Sequence, residues 1–291
     1  AASWAKGAPP PVFSPTPATP PPQPAPQTLL QKAIFALEAR RSVSAKIRHR
    51  AELFGHKVVG SGCYLEQRSS DAIQLRMELK VQVGEQSISL LQVCDGTYLW
   101  TYQKGTHDQG TLSRVAVARV FQALDDLGEP QEPGKLGDWL GLGGLPRVLR
   151  GLNAFFQFSS VEEAELDRVP VWKLLGRWRP EKVVRLLPNQ PAAVASGGLQ
   201  DFSRLPSHLP DHAVVYLGRV NLFPYQIEYL RLQPHPKDRN PIPADRIIAA
   251  MELFDPVCDV PIHPTRFVYH PGNLEFTDQT EAYLQGLGLK K

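Results

Sequence analysis

Apolar and polar residues alternate along two long stretches of the chain. From Ile73 to Val83 every second residue is apolar and the residues between them are polar, and residues 43–53 alternate in the same way except at His49. A period of two sends alternate side chains to opposite faces of an extended chain. The pattern predicts half-buried antiparallel strands, each roughly twice the usual length. Long twisted strands of this kind tend to curl toward a barrel.

Further strands are expected on both sides of these two, and short turn-rich links between the first five indicate hairpins. The first set is expected at residues 43–54, 57–67, 72–83, 86–94 and 97–102, followed by a mixed strand and helical run at 115–127. The second set is expected at residues 157–166, 169–178, 182–187, 213–222, 225–233, 246–255 and 266–269.

Helical spacing occurs in three places. A first helix is expected from Thr28, which can serve as its N-cap, with Leu29, Leu30, Ala33, Ile34 and Leu37 on one face. A second amphipathic helix is expected near residues 145–156, and the segment before it, from residue 136, combines glycines with large apolar residues. Such a segment can bend and remain apolar, as a lid requires. A short helix is expected at 279–287.

Composition divides the chain into a tail and one domain. Residues 1–27 are dominated by Pro, Ala, Thr and Gln, which predicts an extended leader or linker that cannot bury a core. The leader is interpreted either as a tether or as a segment without a specific role. Residues 28–291 are expected to form a single domain, with a lid at 136–156 and an insertion at about 188–210.

Charge and motifs exclude several functions. The net charge is +3, and the Lys and Arg residues are spread along polar faces in sequence, which argues against a nucleic-acid groove. No catalytic constellation, phosphate-binding loop or metal-ligand spacing is found, so neither an enzyme nor a cofactor is expected. His49 is interpreted as a hydrogen-bonded core histidine, with a ligand contact as the alternative. Cys63, Cys94 and Cys258 allow one disulfide or three free thiols.

The order of elements and several short motifs resemble the LolA/LolB-like family of outer-membrane lipoprotein carriers, with its relatives LppX, LprG and RseB. The motifs are ALE at 36–38 before SVSA at 42–45, GSGCYLE at 60–66, and LQVCDGTYLWTY at 91–102. The resemblance implies an α+β, mainly β fold: an incomplete, strongly curved antiparallel β-barrel of about eleven strands, closed by an α-helical lid over an apolar cavity.

The residues expected to line this cavity are apolar or aromatic and lie on the inner faces of strands. They are Ile47, Leu75, Met77, Leu79, Val81, Leu90, Tyr216, Val220, Ile227, Tyr229, Met251 and Leu253, and the lid residues are Trp139, Leu145, Val148, Leu149, Leu152 and Phe156. The competing interpretation is that the same stripes form a packed core without a cavity.

The expected function is a non-enzymatic periplasmic carrier or sensor that binds lipid or lipoprotein acyl chains. The alternative is an RseB-like envelope regulator that uses the curved sheet to bind a protein. The expected partners are a lipid or an acylated lipoprotein, with a membrane-associated protein as a further candidate, and neither nucleic acid nor a cofactor. The chain is expected to be a monomer exported to the periplasm of a double-membrane bacterium, with the leader as a candidate membrane tether.

Overall fold

The computed structural model describes residues 24–53, 56–69, 72–105, 110–127, 136–186, 209–232 and 245–286. Residues 1–23 of the predicted leader and 188–208 of the predicted insertion lie outside these ranges. Within them, the chain forms one mainly β structure with helices on one side of a single sheet.

The structure has twelve strands and five α-helices within the described ranges. The strands are β1 Ser42–Leu53, β2 His56–Arg68, β3 Ile73–Val83, β4 Gln86–Cys94, β5 Tyr98–Lys104, β6 Thr111–Ala116, β7 Phe156–Leu166, β8 Val169–Trp178, β9 His212–Gly218, β10 Pro224–Leu232, β11 Asp245–Cys258 and β12 Thr277–Asp278. The helices are α1 Pro26–Glu38, α2 Val117–Leu127, α3 Leu136–Phe155, α4 Pro180–Leu186 and α5 Thr280–Gly286.

All twelve strands belong to one curved sheet in the order β12-β6-β5-β4-β3-β2-β1-β11-β10-β9-β8-β7. Every pair is antiparallel except the short β12–β6 pair. The sheet does not close, because β12 and β7 remain its two edges. The predicted fold class, an incomplete curved antiparallel barrel with helices, is confirmed.

Two glycines in the middle of β2 permit a close approach to β3. A Cβ at Gly62 would overlap the backbone of Glu78, and one at Gly60 would press on Val81 at 3.0 Å. Glycine within a strand is typical of sites where another backbone comes near. The sheet can therefore bend tightly at the centre of β2.

Four predicted elements need correction. Helix α1 begins at Pro26 with Ala25 as N-cap, so Thr28 is not the cap; proline is favoured at the first helical positions. Residues 182–187 were predicted as a strand but lie largely in α4, where Pro180 and Glu181 favour a helix start. Residues 266 and 267 end the 3-10 helix Pro264–Phe267, and residues 268–269 follow it without forming a strand. Strand β9 ends at Gly218, four residues earlier than predicted.

The core lies between the sheet and helices α1 and α3. Helix α3 contacts β3, β4 and β7, and α1 contacts α3 and β7. The apolar face predicted for α1 is buried. On α3, Leu145, Val148, Leu149 and Leu152 are buried in the same cluster as the inner residues of β1, β3 and β11. The helices therefore occupy the concave side of the sheet.

After β11 the chain crosses the sheet to its far edge, and we call residues 259–278 the C-terminal strap. Asp259 accepts a hydrogen bond from Arg40 at 2.7 Å at one end of the strap. Phe267 is fully buried in its middle, and Asp278 pairs with Arg114 of β6 at 3.0 Å at its other end. The strap thus links the centre of the sheet to its β6 edge.

Candidate functional site

The inner faces of β1–β4, β10 and β11 form a continuous apolar surface, which we call the floor. The pairing register places Leu79 opposite Leu90 and Val81 opposite Ile88 between β3 and β4. It also places Ile47 opposite Leu253 and His49 opposite Met251 between β1 and β11. Residues predicted from alternation to point inward on these strands therefore share one surface.

Helix α3 covers one half of the floor. The covered half consists of predicted lining residues that are buried against the helices: Ile47, Leu75, Met77, Ile227, Met251 and Leu253. The open half, toward the β3–β4 turn, is only half-buried and includes Leu79, Val81, Leu90 and Tyr229. In this conformation the covered half is packed core, and the open half is accessible apolar surface.

Three predicted site residues lie elsewhere. Val220 is 97% exposed in the turn after β9, so its assignment to the cavity was wrong because the strand ends before it. Tyr216 alternates with the core residues Val215 and Leu217 and therefore faces outward, where its hydroxyl donates to Glu228 at 3.1 Å. Phe156 belongs to β7 rather than to α3, and packs on Trp178.

The remaining lid residues lie in α3 as predicted. Leu145, Val148, Leu149 and Leu152 are buried against the floor. The side chain of Trp139 lies outside the described part of the structure, although its backbone belongs to α3. The glycine-rich segment predicted only as a flexible approach is helical too, so α3 is longer than the expected helix.

Helix α3 is broken at Gly144. This residue has φ 68° and ψ −164°, a backbone region that is essentially restricted to glycine. Leu145 then begins a second helical piece with Pro146 in its first turn, where proline is tolerated. Helix α3 therefore consists of two helical pieces that meet at a kink at Gly144.

A buried carboxylate lies directly under this kink. Glu66, 2% exposed, accepts hydrogen bonds from the Tyr64 hydroxyl and from the guanidinium of Arg68. The backbone N–H of Leu145 points at the same group, 3.3 Å from Glu66 Oε2 and 3.1 Å from the Tyr64 hydroxyl oxygen. A carboxylate is favoured at a helix N-terminus, where backbone N–H groups lack partners within the helix. Glu66 thereby fixes the second piece of α3 to β2.

Burial also changes the acidity of groups at the floor. Desolvation, with the neighbouring Glu66 charge, raises the pKa of Tyr64 well above its usual value, so its hydroxyl remains a donor. Burial lowers the pKa of His49, although its ring donates a hydrogen bond to the Ala250 carbonyl. His49 is thus a half-buried residue of the floor beside the Ala250 carbonyl, and its role as a core histidine stays a prediction. Burial also raises the pKa of Tyr229.

A separate groove of about 460 Å³ lies between the outer ends of β1 and β11 and the β7–β8 turn. Five charged residues line it: Arg48, Arg50, Asp167, Glu252 and Asp255. Arg48 and Glu252 pair at 2.9 Å across the strands. So many charges make this groove unsuitable for an acyl chain, which needs an apolar lining.

Two kinds of chemical site, metal centres and reactive thiols, were considered in the described ranges. There, no three His, Cys, Asp or Glu side chains are grouped so that they could hold a metal ion. Cys63, Cys94 and Cys258 are free thiols, and burial raises the pKa of Cys94 to about 11. In the same part of the chain, none of the helices has the length and apolar character needed to cross a bilayer.

The kink and its buried carboxylate were not predicted, although the sequence contains a signal for both. Glu66 follows Tyr64 by two residues and therefore lies on the inner face of β2, opposite Val43 and Leu75. A carboxylate at an apolar-face position needs buried partners. Gly144 is one of five glycines within α3, but a sequence does not show which glycine adopts a positive φ.

No family model and no curated protein match the chain. Among solved structures it is similar to LprF from Mycobacterium bovis, with 13% identity, a TM-score of 0.38, and coverage of 82% of this chain and 94% of that one. It is also similar to lipoprotein LppX of Mycobacterium tuberculosis, with 11% identity, a TM-score of 0.37, and coverage of 82% of this chain and 97% of that one. For MucB the identity is 9% and the TM-score 0.37, with coverage of 84% of this chain and 62% of that one. LppX was named from the sequence, so the predicted resemblance is confirmed. At these values no functional conclusion follows for this chain.

Proposed function

We propose that this chain is a non-enzymatic protein of the bacterial envelope that binds an acyl chain of a lipid or lipoprotein on the floor beneath α3. The observation that carries the proposal is a continuous apolar floor, half covered by a two-piece helix with a glycine hinge. The open half presents partly exposed Leu79, Val81 and Leu90, where an acyl chain can begin to bind. Movement of α3 at Gly144 would extend this surface into the covered half.

The energetics suit reversible binding. Burial of a 16-carbon chain contributes roughly 12 kcal/mol at about 0.8 kcal/mol per methylene. Association costs about 4–15 kcal/mol, and displacement of Leu145 and Leu149 from the floor adds to that cost. The balance favours a carrier or sensor that can release its ligand over a site that retains it permanently.

The proposal extends to organisation and location. The domain begins with α1 at Pro26, two residues earlier than predicted, and the residues before it act as the linker that holds this domain near a membrane in the periplasm. The single sheet that runs through the described ranges supports the one-domain part.

The test is binding of a fluorescent 16-carbon fatty acid to the full chain. Leu79→Asp should weaken binding about tenfold or more, because it removes several apolar groups at about 0.8 kcal/mol each and adds a charge to the floor. Gln82→Asp is the matched control on the same strand, because its side chain is exposed on the opposite face. Leu79→Trp keeps the floor apolar but fills it, so it should reduce binding without adding a charge.

Native mass spectrometry of protein purified without detergent gives an independent readout. Co-purified lipid would agree with the proposal. Saturable fatty-acid binding that is equal in Leu79→Asp, Leu79→Trp and Gln82→Asp would place the site elsewhere, and no binding by the unmodified chain would favour a protein-binding scaffold.

A further inference from the structure

A row of basic residues crosses the outer face of the sheet. The register aligns Arg48 with Ser61, Ser61 with Lys80, Lys80 with Ser89, and Ser89 with Lys104. Neighbouring strands lie about 4.8 Å apart, so a cation recurs about every 10 Å over five strands. The three cations and the two serines of this row, which are Arg48, Ser61, Lys80, Ser89 and Lys104, all have exposed side chains.

Two further cations adjoin this row on the same face. Arg50 lies two residues beyond Arg48 on β1, and Lys57 lies near the start of β2. Between them, Val59 is directly opposite Arg50 and is 52% exposed. We call the set Arg48, Arg50, Lys57, Lys80 and Lys104, with Val59, the basic face.

The basic face has an excess of unneutralised positive charge. Arg48 pairs with Glu252 at 2.9 Å. Within the described ranges, no ion pair joins Arg50, Lys57, Lys80 or Lys104 to a carboxylate, although Arg50 borders the groove with Asp167, Glu252 and Asp255, and Lys57 lies opposite Glu52. The nearby acids are mostly occupied, since Glu52 pairs with Arg246 and Glu78 with Arg76. Paired cations contribute little to attraction at a distance, whereas unpaired cations that share a face add their fields.

The basic face lies at the open end of the floor. Lys80 precedes the β3–β4 turn by a few residues, and Lys104 ends β5. The same ends of β3 and β4 carry the half-buried floor residues Val81 and Leu90 on the other side of the sheet. Positive charge on the outer side therefore borders accessible apolar surface on the inner side.

We propose that the basic face docks this protein on a bilayer surface rich in anionic lipid. A broad face of separated cations with one exposed valine suits a layer of phosphate headgroups above hydrocarbon, and the short serines between the cations do not project beyond them. Nucleic acid is the competing partner for such a face, and the test includes a DNA duplex for that reason. The proposal rests on the proposed function for its purpose: docking places the open end of the floor, at the β3–β4 turn, next to the bilayer that supplies acyl chains.

The test is flotation of the full chain with vesicles of phosphatidylcholine alone or mixed with phosphatidylglycerol. The chain should bind the mixed vesicles, bind the neutral ones weakly, and be released by raised salt. Each cation near an anionic surface contributes about fivefold in affinity, so Lys80→Gln/Lys104→Gln should bind about 25-fold more weakly. Arg50→Gln/Lys57→Gln should lose a similar factor.

Arg168→Gln/Arg177→Gln is the matched control, since both arginines are exposed, lie on β8 or its turn, and give the same change in net charge. Equal loss in this control would overturn the proposal, as would equal binding to neutral vesicles or tighter binding to a short DNA duplex. Dissolved fatty acid should bind normally to Lys80→Gln/Lys104→Gln. Docking without fatty-acid binding would contradict the proposed function alone, and fatty-acid binding without docking would contradict this inference alone.

Discussion

At the scale of single residues, Gly144 has a backbone conformation that a residue with a side chain cannot adopt without strain. Its φ and ψ lie in a glycine-only region, and a Cβ there would overlap the Glu66 carboxylate. Glu66 in turn holds the Leu145 N–H, the Tyr64 hydroxyl and Arg68. The kink in α3 and the attachment of α3 to β2 are therefore one contact.

Gly144→Ala should lower the free energy of unfolding by about 3–5 kcal/mol, because it adds backbone strain and disturbs a buried charge pair. Gly84→Ala is the control. Gly84 also has a positive φ, 59°, but open space around its Cα, so only about 1–2 kcal/mol of strain is expected. Urea denaturation measures both values. Equal losses in the two variants would show that the contact with Glu66 has no energetic role.

The sequence supplied the position of Glu66 but not its role. Alternation along β2 puts residues 64 and 66 on the inner face, and the second of them is charged. Its partner at Leu145 lies 79 residues away, so pattern alone could not pair them. By contrast, the inward positions on β3 were predictable, because six apolar residues repeat there without interruption.

At the scale of elements, α3 acts as a cover because its two faces have different chemistry. Leu149 and Leu152 are buried against the floor. Arg150, on the exposed face, pairs with Glu38 of α1 at 2.5 Å. Exposed ion pairs contribute little, about 0–1 kcal/mol, so the apolar face holds α3 against the floor.

Leu149→Ala should therefore loosen the lid. The expected loss is about 2–5 kcal/mol of local stability, with faster amide hydrogen exchange in residues 145–155 and faster entry of fatty acid. Arg150→Ala, the next residue on the same helix, should leave both rates nearly unchanged. Hydrogen exchange read by mass spectrometry, with stopped-flow uptake of the fluorescent fatty acid, checks both. An unchanged uptake rate in a loosened Leu149→Ala lid would show that ligand enters without moving α3.

The type of element was predicted correctly where the apolar pattern was long, and wrongly where it covered only a few residues. Residues 182–187 contain valines and leucines that favour a strand by composition alone. The backbone forms a helix there, with Lys182 and Val183 donating to the Arg179 carbonyl. In so short a segment, the helix-start residues and the contacts of Val183 with the core decide the outcome.

At the scale of the molecule, strand register and the path of the chain across the sheet decide which distant residues become neighbours, and the sequence pattern does not show this. The basic residues are dispersed along the chain and were predicted not to cluster, yet five antiparallel strands align Arg48, Lys80 and Lys104 in one row. Register depends on turns and on core packing across the whole sheet. A surface formed in this way is therefore visible only after folding.

The C-terminal strap is the other whole-molecule feature, and Trp100 on β5 is the residue that fastens it. The ring of Trp100 stacks on Tyr269 at 5.7 Å and meets Phe276 edge-on at 5.2 Å, while the Arg114 guanidinium lies 4.5 Å from the Phe276 ring. Aromatic pairs of this geometry add to the stabilisation from burial. The strap is therefore fastened at β5 and β6 mainly through Trp100 and Arg114.

Trp100→Ala should cost about 3–5 kcal/mol and release the strap before the sheet unfolds, because β12 and α5 follow it in the chain. Limited proteolysis should then cut within residues 264–278 while β1–β4 stay intact. Phe35→Ala, the loss of an aromatic ring that is 67% exposed on α1, is the control and should change neither stability nor cleavage appreciably. If the strap of Trp100→Ala resists protease as well as that of the unmodified chain, its attachment rests on the Asp259 and Asp278 ion pairs instead.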